Sequence, residues 1–225
     1  MSLPALYPWQ VSVIDAISML VLVTASIISI TRSIQLAIRV YIVQALMIVI
    51  LFATIGVKYL WFVWWSISAA ITKALIVPLV LTWVVKHTSY ITEREEPFVS
   101  RAVYIIIIVL VCILSAVIAR EILVHVPKVV SGTSSSLASA LTLTLIGLTT
   151  VSLSRNALKQ ILGVVMFENG SHILLAALAF YVPESVEVGV STDAVFMVSV
   201  LAYLSYRMVK IRGNMDVSKL TALKY

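Results

Sequence analysis

The chain has 225 residues, of which 61% are hydrophobic and only 12% charged, with a formal net charge of +6. Soluble domains average roughly 45–50% apolar and about 25% charged, so this composition excludes a soluble globular enzyme, a disordered chain and a disulfide scaffold. At about 22 residues per span, seven membrane-crossing helices use most of the length, and a single integral membrane domain over residues 1–225 is expected.

The first helix is expected from Gln10 to Ile30. Met1 to Gln10 carries no basic side chain and Asp15 interrupts the apolar run, so this start does not read as a cleavable signal peptide. Asp15 lies near the end of the helix, within reach of the interface. The second helix is expected from Gln35 to Val57. Its Arg39 sits one turn inside, where a long stem can carry the charge back to the headgroups.

The third helix is expected from Leu60 to Val85, its start marked by an aromatic belt of Tyr59, Trp61, Trp64 and Trp65. Near its centre stands Lys73. A charge at mid-bilayer costs at least about 2.5–3.5 kcal/mol and is by default a functional candidate. Lys73 is too deep for easy snorkelling, and Ser66, Ala69, Ala70 and Lys73 share one small, polar face that should point into protein. Pro78 lacks an N–H and its ring clashes with the carbonyl of Ala74, so a break is expected there, leaving a polar carbonyl beside the lysine. The stretch from Lys86 to Ser100, with His87, Glu93, Arg94, Glu95, Glu96 and Pro97, reads as a solvated loop.

The fourth helix is expected from Ala102 to Val126. It holds the lone cysteine, Cys112, read as a buried inert thiol, and ends in Arg120, Glu121 and His125, for which a rim ion pair suffices. In the fifth, Ser135 to Leu153, the spacing of Ser135, Ser139, Thr142 and Thr149 points to tight helix packing. The sixth, Leu158 to Val182, carries the second buried charge. Glu168 and His172 are four residues apart and share a face. Gly163 and Gly170 fall close to it and permit close packing, and Asn169 and Ser171 add hydrogen-bonding groups. The seventh is expected from Ser191 to Ile211. Asp193 in its first turn complements the helix dipole; a start nearer Val186 would place it deeper, where it could join a proton path.

Lysine and arginine placement gives the orientation. Arg32, Lys86, Arg94, Arg101, Arg155, Lys159, Arg207, Lys210, Arg212, Lys219 and Lys224 collect on one side, against Lys58, Arg120 and Lys128 on the other. The rich side is expected to be cytoplasmic, with the N-terminus outside and the C-terminus inside. The fold class is therefore all-α, a multi-pass protein of the plasma or inner membrane. No phosphate loop, nucleophile elbow or zinc motif is present, so neither catalytic residues, a metal site nor a cofactor is expected, and no basic–aromatic stripe points to nucleic acid. The proton-path candidates are Glu168, Lys73, His172 and Asp193.

The segment from Lys159 to Asn169 and Gly170, with Gly163 and Glu168 inside it, resembles the glycine–glutamate–asparagine–glycine stretch of the hydrogenase-4 component E family. The spacing from Lys73 to Pro78, followed by Leu79 and Leu81, is similar to that family's lysine–proline third helix. The run from Glu187 through Gly189 to Asp193 is similar to its glutamate–glycine–aspartate segment. The last three helices also look like the K subunit of complex I, with Arg155, Asn156, Leu158 and Gly163 matching the start of its corresponding helix. There are departures. Val165 stands where the K subunit has its glutamate, Glu168 comes three residues later, and nothing among Phe196 to Tyr206 matches the second glutamate; His172 replaces the apolar residue expected in component E.

The resemblance implies a four-helix part over residues 10–131, a K-like three-helix part over 132–212 and a cytoplasmic tail over 213–225. It implies a non-catalytic membrane-arm subunit of an oxidoreductase complex, packed beside antiporter-like subunits and lipid. Such a subunit would help move H⁺ or Na⁺ when a peripheral redox module turns over. The competing readings are a subunit of a multisubunit cation/proton antiporter, a membrane scaffold in which the charges only fix assembly, and a stand-alone seven-helix receptor or retinal protein. The last is disfavoured because Lys210 lies only at the end of the final helix.

Overall fold

The computed structural model describes residues 6–88, 98–125, 134–178 and 184–218. Among these, seven helical spans are long and apolar enough to cross a membrane. With no water in the hydrocarbon to satisfy backbone groups, helices are the form such a sequence must take.

Helices α1 (Pro8–Ile30) and α2 (Ile34–Gly56) form an antiparallel hairpin. Pro8 opens α1 where its missing N–H costs nothing. The Gln10 side chain accepts from the Tyr7 N–H at 2.9 Å and donates across the hairpin to the Thr54 carbonyl at 2.6 Å. Ile14, Val21, Ala25 and Ile28 of α1 meet Ala37, Tyr41, Ala45 and Ile48 of α2 in the core.

The third span, Trp61–His87, is one continuous helical run of three segments. Helix α3 (Trp61–Ala69) passes into a seven-residue π-helical segment, Ala70–Ile76, and then into α4 (Val77–His87). The Val77 N–H reaches back to the Thr72 carbonyl, five residues earlier. Pro78 offers no N–H to Ala74 and crowds its carbonyl. A wider turn just before the proline accommodates both defects, so the irregular backbone includes the residues around Lys73.

Helix α5 (Arg101–His125) is the least buried span and packs against α6 (Ser134–Leu153), where the Ser115 and Thr142 hydroxyls lie 2.6 Å apart. Helices α6 and α7 (Ala157–Leu178) make the tightest pair, and α7 is the most enclosed span of all. Glycines make this approach feasible. A Cβ on Gly163 would sit 2.8 Å from the Gly147 carbonyl, and one on Gly147 would sit 2.5 Å from the Phe167 nitrogen. The close seam therefore includes Gly147 of α6, which the spacing of α7 alone does not reveal.

The last helix, α8, runs Glu184–Arg212, about two turns longer at its start than the expected 191–211. Valine and glycine are weak helix formers, yet the helix runs through Val186, Val188 and Gly189 without a break. Beyond it, Gly213 turns the chain with a φ of 71° and bonds the Val209 carbonyl at 2.7 Å. Residues 214–218 then fold back on the start of α7: Ala157 N–H bonds Met215 O (3.1 Å) and Val217 N–H bonds Arg155 O (2.9 Å).

Alternating crossings put Arg32, Lys86, Arg101, Arg155, Lys159, Arg207, Lys210 and Arg212 at one end of the bundle, and Lys58 and Arg120 at the other. The expected features at Glu93, Arg94, Glu95, Glu96, Pro97, Lys128, Lys219 and Lys224, and the boundary at 131, lie outside the described residues.

Candidate functional site

The lysine of the third span and the glutamate of α7 meet. Lys73 projects from the π-helical segment and is 1% exposed; Glu168, Asn169 and His172 project from the middle of α7 and are 8%, 0% and 0% exposed. Lys73 Nζ donates to Glu168 Oε1 at 2.9 Å and to Asn169 Oδ1 at 3.0 Å. It also contacts His172 Nδ1. That same nitrogen is 2.9 Å from Glu168 Oε1. The three titratable groups thus converge on a single carboxylate oxygen.

Local sequence explains the placement. The i, i+4 spacing on α7 stacks Glu168 and His172 one turn apart, and Asn169 turns toward the same neighbour. On the third span, the π-helical turn shifts the register of residues 70–76 relative to α3, and Lys73 is the buried residue of that segment. Irregular turns of this kind cluster at functional positions.

The surroundings differ on the two sides. Toward the end of the bundle holding Lys58, a buried aromatic group closes the site: the Trp65 ring is 6.3 Å from that of His172, 5.0 Å from Phe62 and 5.7 Å from Phe52. Toward α2, the buried Tyr41 faces Glu168 and Asn169. Glu168 Oε2, Asn169 Nδ2, Tyr41 Oη and, further along α2, Gln44 Oε1 have no protein hydrogen-bond partner among the described residues. Buried polar atoms are rarely left unbonded, and a site with several convergent ones is suited to internal water.

The chemistry available follows from proton counting. With Lys73 charged, Glu168 ionised and His172 neutral, the group is electrically balanced, and His172 Nδ1 accepts from the ammonium. A further proton converts Nδ1 to a donor toward Glu168 Oε1, or rests on the carboxylate. Either way, the group holds one proton more than neutrality requires.

Asp193 is not part of this group. It is an exposed residue in the third turn of α8, while Ser191, two residues earlier, is buried and accepts from Ser68 Oγ at 2.9 Å. Asp15 is also exposed and accepts from Ser135 Oγ. Arg39 is exposed. Gly163 and Gly170 lie against α6, where a Cβ on Gly170 would reach the Thr144 hydroxyl and come within 2.7 Å of the Ala140 carbonyl.

Sequence reasoning missed two residues. Lys159 counts as a surface charge by position, yet it is fully buried and Nζ donates to the Thr31 carbonyl at the end of α1. Its signal was a cation in the first turn of α7, where the helix dipole disfavours it. Tyr41 carries no such signal, since its spacing alone marks only a core aromatic.

Comparisons with known proteins bear on the whole chain. A family model described as NADH-ubiquinone/plastoquinone oxidoreductase chain 4L matches residues 135–225, the part formed by α6, α7, α8 and the chain beyond. Over 214 residues the chain is 34% identical to hydrogenase-4 component E of Escherichia coli strain K12, covering 94% of this chain and 97% of that protein. The same figures hold for hydrogenase-4 component E of Shigella flexneri. An uncharacterised protein of Mycobacterium tuberculosis is 27% identical over 159 residues, 71% of each chain. No solved structure matches.

Proposed function

The chain belongs to the hydrogenase-4 component E family, and we propose that it is a membrane-arm subunit of a complex I-like, hydrogenase-type redox complex in which the Lys73–Glu168–His172 group takes up and passes on a proton during turnover. The observation that carries this reading is the meeting of a buried ammonium, carboxylate and imidazole at mid-span, with Glu168 Oε2 and Asn169 Nδ2 left for water. Structural ion pairs need no third titratable group. A histidine on the shared oxygen gives the pair a second atom able to hold a proton, His172 Nδ1 beside Glu168 Oε1.

In this reading Glu168 holds the proton in transit and Lys73 sets its affinity by approaching or withdrawing. His172 exchanges the proton through Nδ1, and Asn169 keeps Lys73 oriented. Pro78 and the π-helical turn give Lys73 freedom to move, because a segment with poorer backbone bonding is easier to rearrange. The aromatic group of Phe52, Phe62 and Trp65 blocks a direct water path to one side. Redox chemistry belongs to other subunits, and the neighbours in the membrane are antiporter-like subunits and lipid of the cell membrane.

The test is Glu168→Gln in the native complex. Inverted vesicles should retain electron transfer and the assembled complex but lose most of the proton gradient formed per electron. Normal pumping by the variant overturns the reading. Loss of the complex itself, with no assembled variant recovered even for Lys73→Met/Glu168→Gln, favours a scaffold. Mass spectrometry of what co-purifies in mild detergent separates the assemblies. Antiporter-like subunits with an iron–sulfur or nickel–iron module support the proposal, whereas antiporter-like subunits alone favour a cation/proton antiporter.

A further inference from the structure

A second feature of the bundle is separate from the charged group. Between α6, α7 and α8, at the end of the bundle that carries most lysines and arginines, lies a cavity of about 590 Å³. Its walls are apolar, with Ile161, Val164, Leu201 and Leu204 among them. It opens sideways: Leu204 is 55% and Ile211 72% exposed on the outer face of α8. Its mouth toward the bundle end carries Arg207 and Arg212, with Gln160 beside them. The returning tail closes it below through Val217, a wall that exists because Gly213 turns the chain and Ala157 and Arg155 hold it.

The lining sorts into an apolar body and a cationic head at one end. That pattern matches one kind of molecule, an amphiphile with an anionic headgroup. We propose that this groove is a binding site for an anionic phospholipid of the leaflet on the lysine- and arginine-rich side. One acyl chain lies along Ile161, Val164 and Leu201, and the phosphate is held by Arg207 and Arg212.

The magnitudes agree. The volume is within the ~300–1,000 Å³ of sites that enclose small ligands. Basic pockets between membrane helices on the cytoplasmic side are suited to acidic headgroups, and guanidinium forks match phosphate oxygens. Arg207 is exposed, and no carboxylate pairs with it among the described residues. A free phosphate would need no apolar groove, and a partner's apolar helix would need no pair of guanidiniums at its mouth.

The experiment uses the full chain purified in mild detergent and exchanged into mixed micelles containing phosphatidylglycerol or phosphatidylcholine with identical acyl chains. Native mass spectrometry then counts the lipids retained per protein. Phosphatidylglycerol should be retained preferentially, and Arg207→Gln should weaken that preference about fivefold, the scale of one basic residue at an anionic surface. Arg207→Gln/Arg212→Gln should abolish it. Leu204→Trp, which fills the groove, should lower retention of both lipids. Arg207 is exposed, so its single substitution reads the site even where the double variant fails to fold. Equal retention of the two lipids overturns the proposal, as does an unchanged preference in Arg207→Gln. So does displacement of the phosphatidylglycerol by millimolar inorganic phosphate, which marks a plain anion site. A photo-cross-linker at position 204 that captures a protein helix rather than lipid in native membranes also overturns it.

Discussion

Lys73 and Glu168 show how differently a charge behaves with and without its partner in a medium that cannot solvate it. Removing one member of a buried pair leaves the other uncompensated, at a cost of about 3–5 kcal/mol, whereas replacing both by apolar residues of similar volume is often neutral or stabilising. Lys73→Met alone should therefore lower the thermal stability of the purified chain sharply. Lys73→Met combined with Glu168→Met should recover most of the loss. A double-mutant cycle on the unfolding midpoint checks this, and two simply additive losses would show that the contact carries no energy. His172 is the finer probe. His172→Leu keeps the pair and removes the additional proton site, so it should fold normally, and on the proposed reading the variant complex should form a smaller proton gradient per electron transferred. Both charges were visible in the sequence because charge is rare in spans; their contact was not, since 95 residues separate them and no local rule pairs two distant helices.

At the scale of the element, the glycines make opposite predictions according to their neighbours. Gly163→Leu forces α6 and α7 apart, because its Cβ alone would lie 2.8 Å from the Gly147 carbonyl oxygen, and overpacking of this kind costs about 1–3 kcal/mol. The variant should be recovered in lower yield and melt earlier. A methyl group added to Gly189 in α8 would meet nothing within 4 Å. Gly189→Ala should instead stabilise the helix by about 0.5–1 kcal/mol, the propensity difference at an interior position. A thermal-shift series on the two variants decides both. The third span illustrates what propensity reasoning reaches. Proline announces a disturbed helix near residue 78, because a missing N–H is a local fact. Whether the disturbance becomes a bend or a π-helical turn depends on what the neighbouring helices need from Lys73. The start of α8 was misplaced for the converse reason: valine and glycine argue against a helix locally, yet the helix runs from Glu184 through both.

For the whole molecule, the distribution of basic residues makes orientation a measurable claim. In a background with Cys112 replaced by serine, a cysteine at Lys58 should react with a membrane-impermeant maleimide added to intact cells, and one at Arg207 should react only after permeabilisation. The reverse pattern would invert the topology and move the lipid groove to the other leaflet. The α6–α8 unit matched by the chain 4L model contains Glu168 and His172, while Lys73 comes from the part outside that match. The charged group therefore straddles the two parts of the chain, and neither part carries it alone.

Composition, span length and the placement of lysine and arginine determine the class of this protein and the number of its crossings, because the bilayer imposes one length and one backbone solution on every span. The residues quoted from Lys73 to Pro78 and from Gly163 to Gly170 also carry the family resemblance, which the identity over nearly the full chain supports. Only the tertiary structure decides that Lys73 reaches Glu168 and His172, that Gly147 completes the seam with Gly163, that Lys159 caps α1 and that Asp193 faces outward. Helix pairing is set by side-chain fit between faces far apart in the chain. Within lipid the apolar pattern runs around every helix, so periodicity no longer tells a buried face from an exposed one.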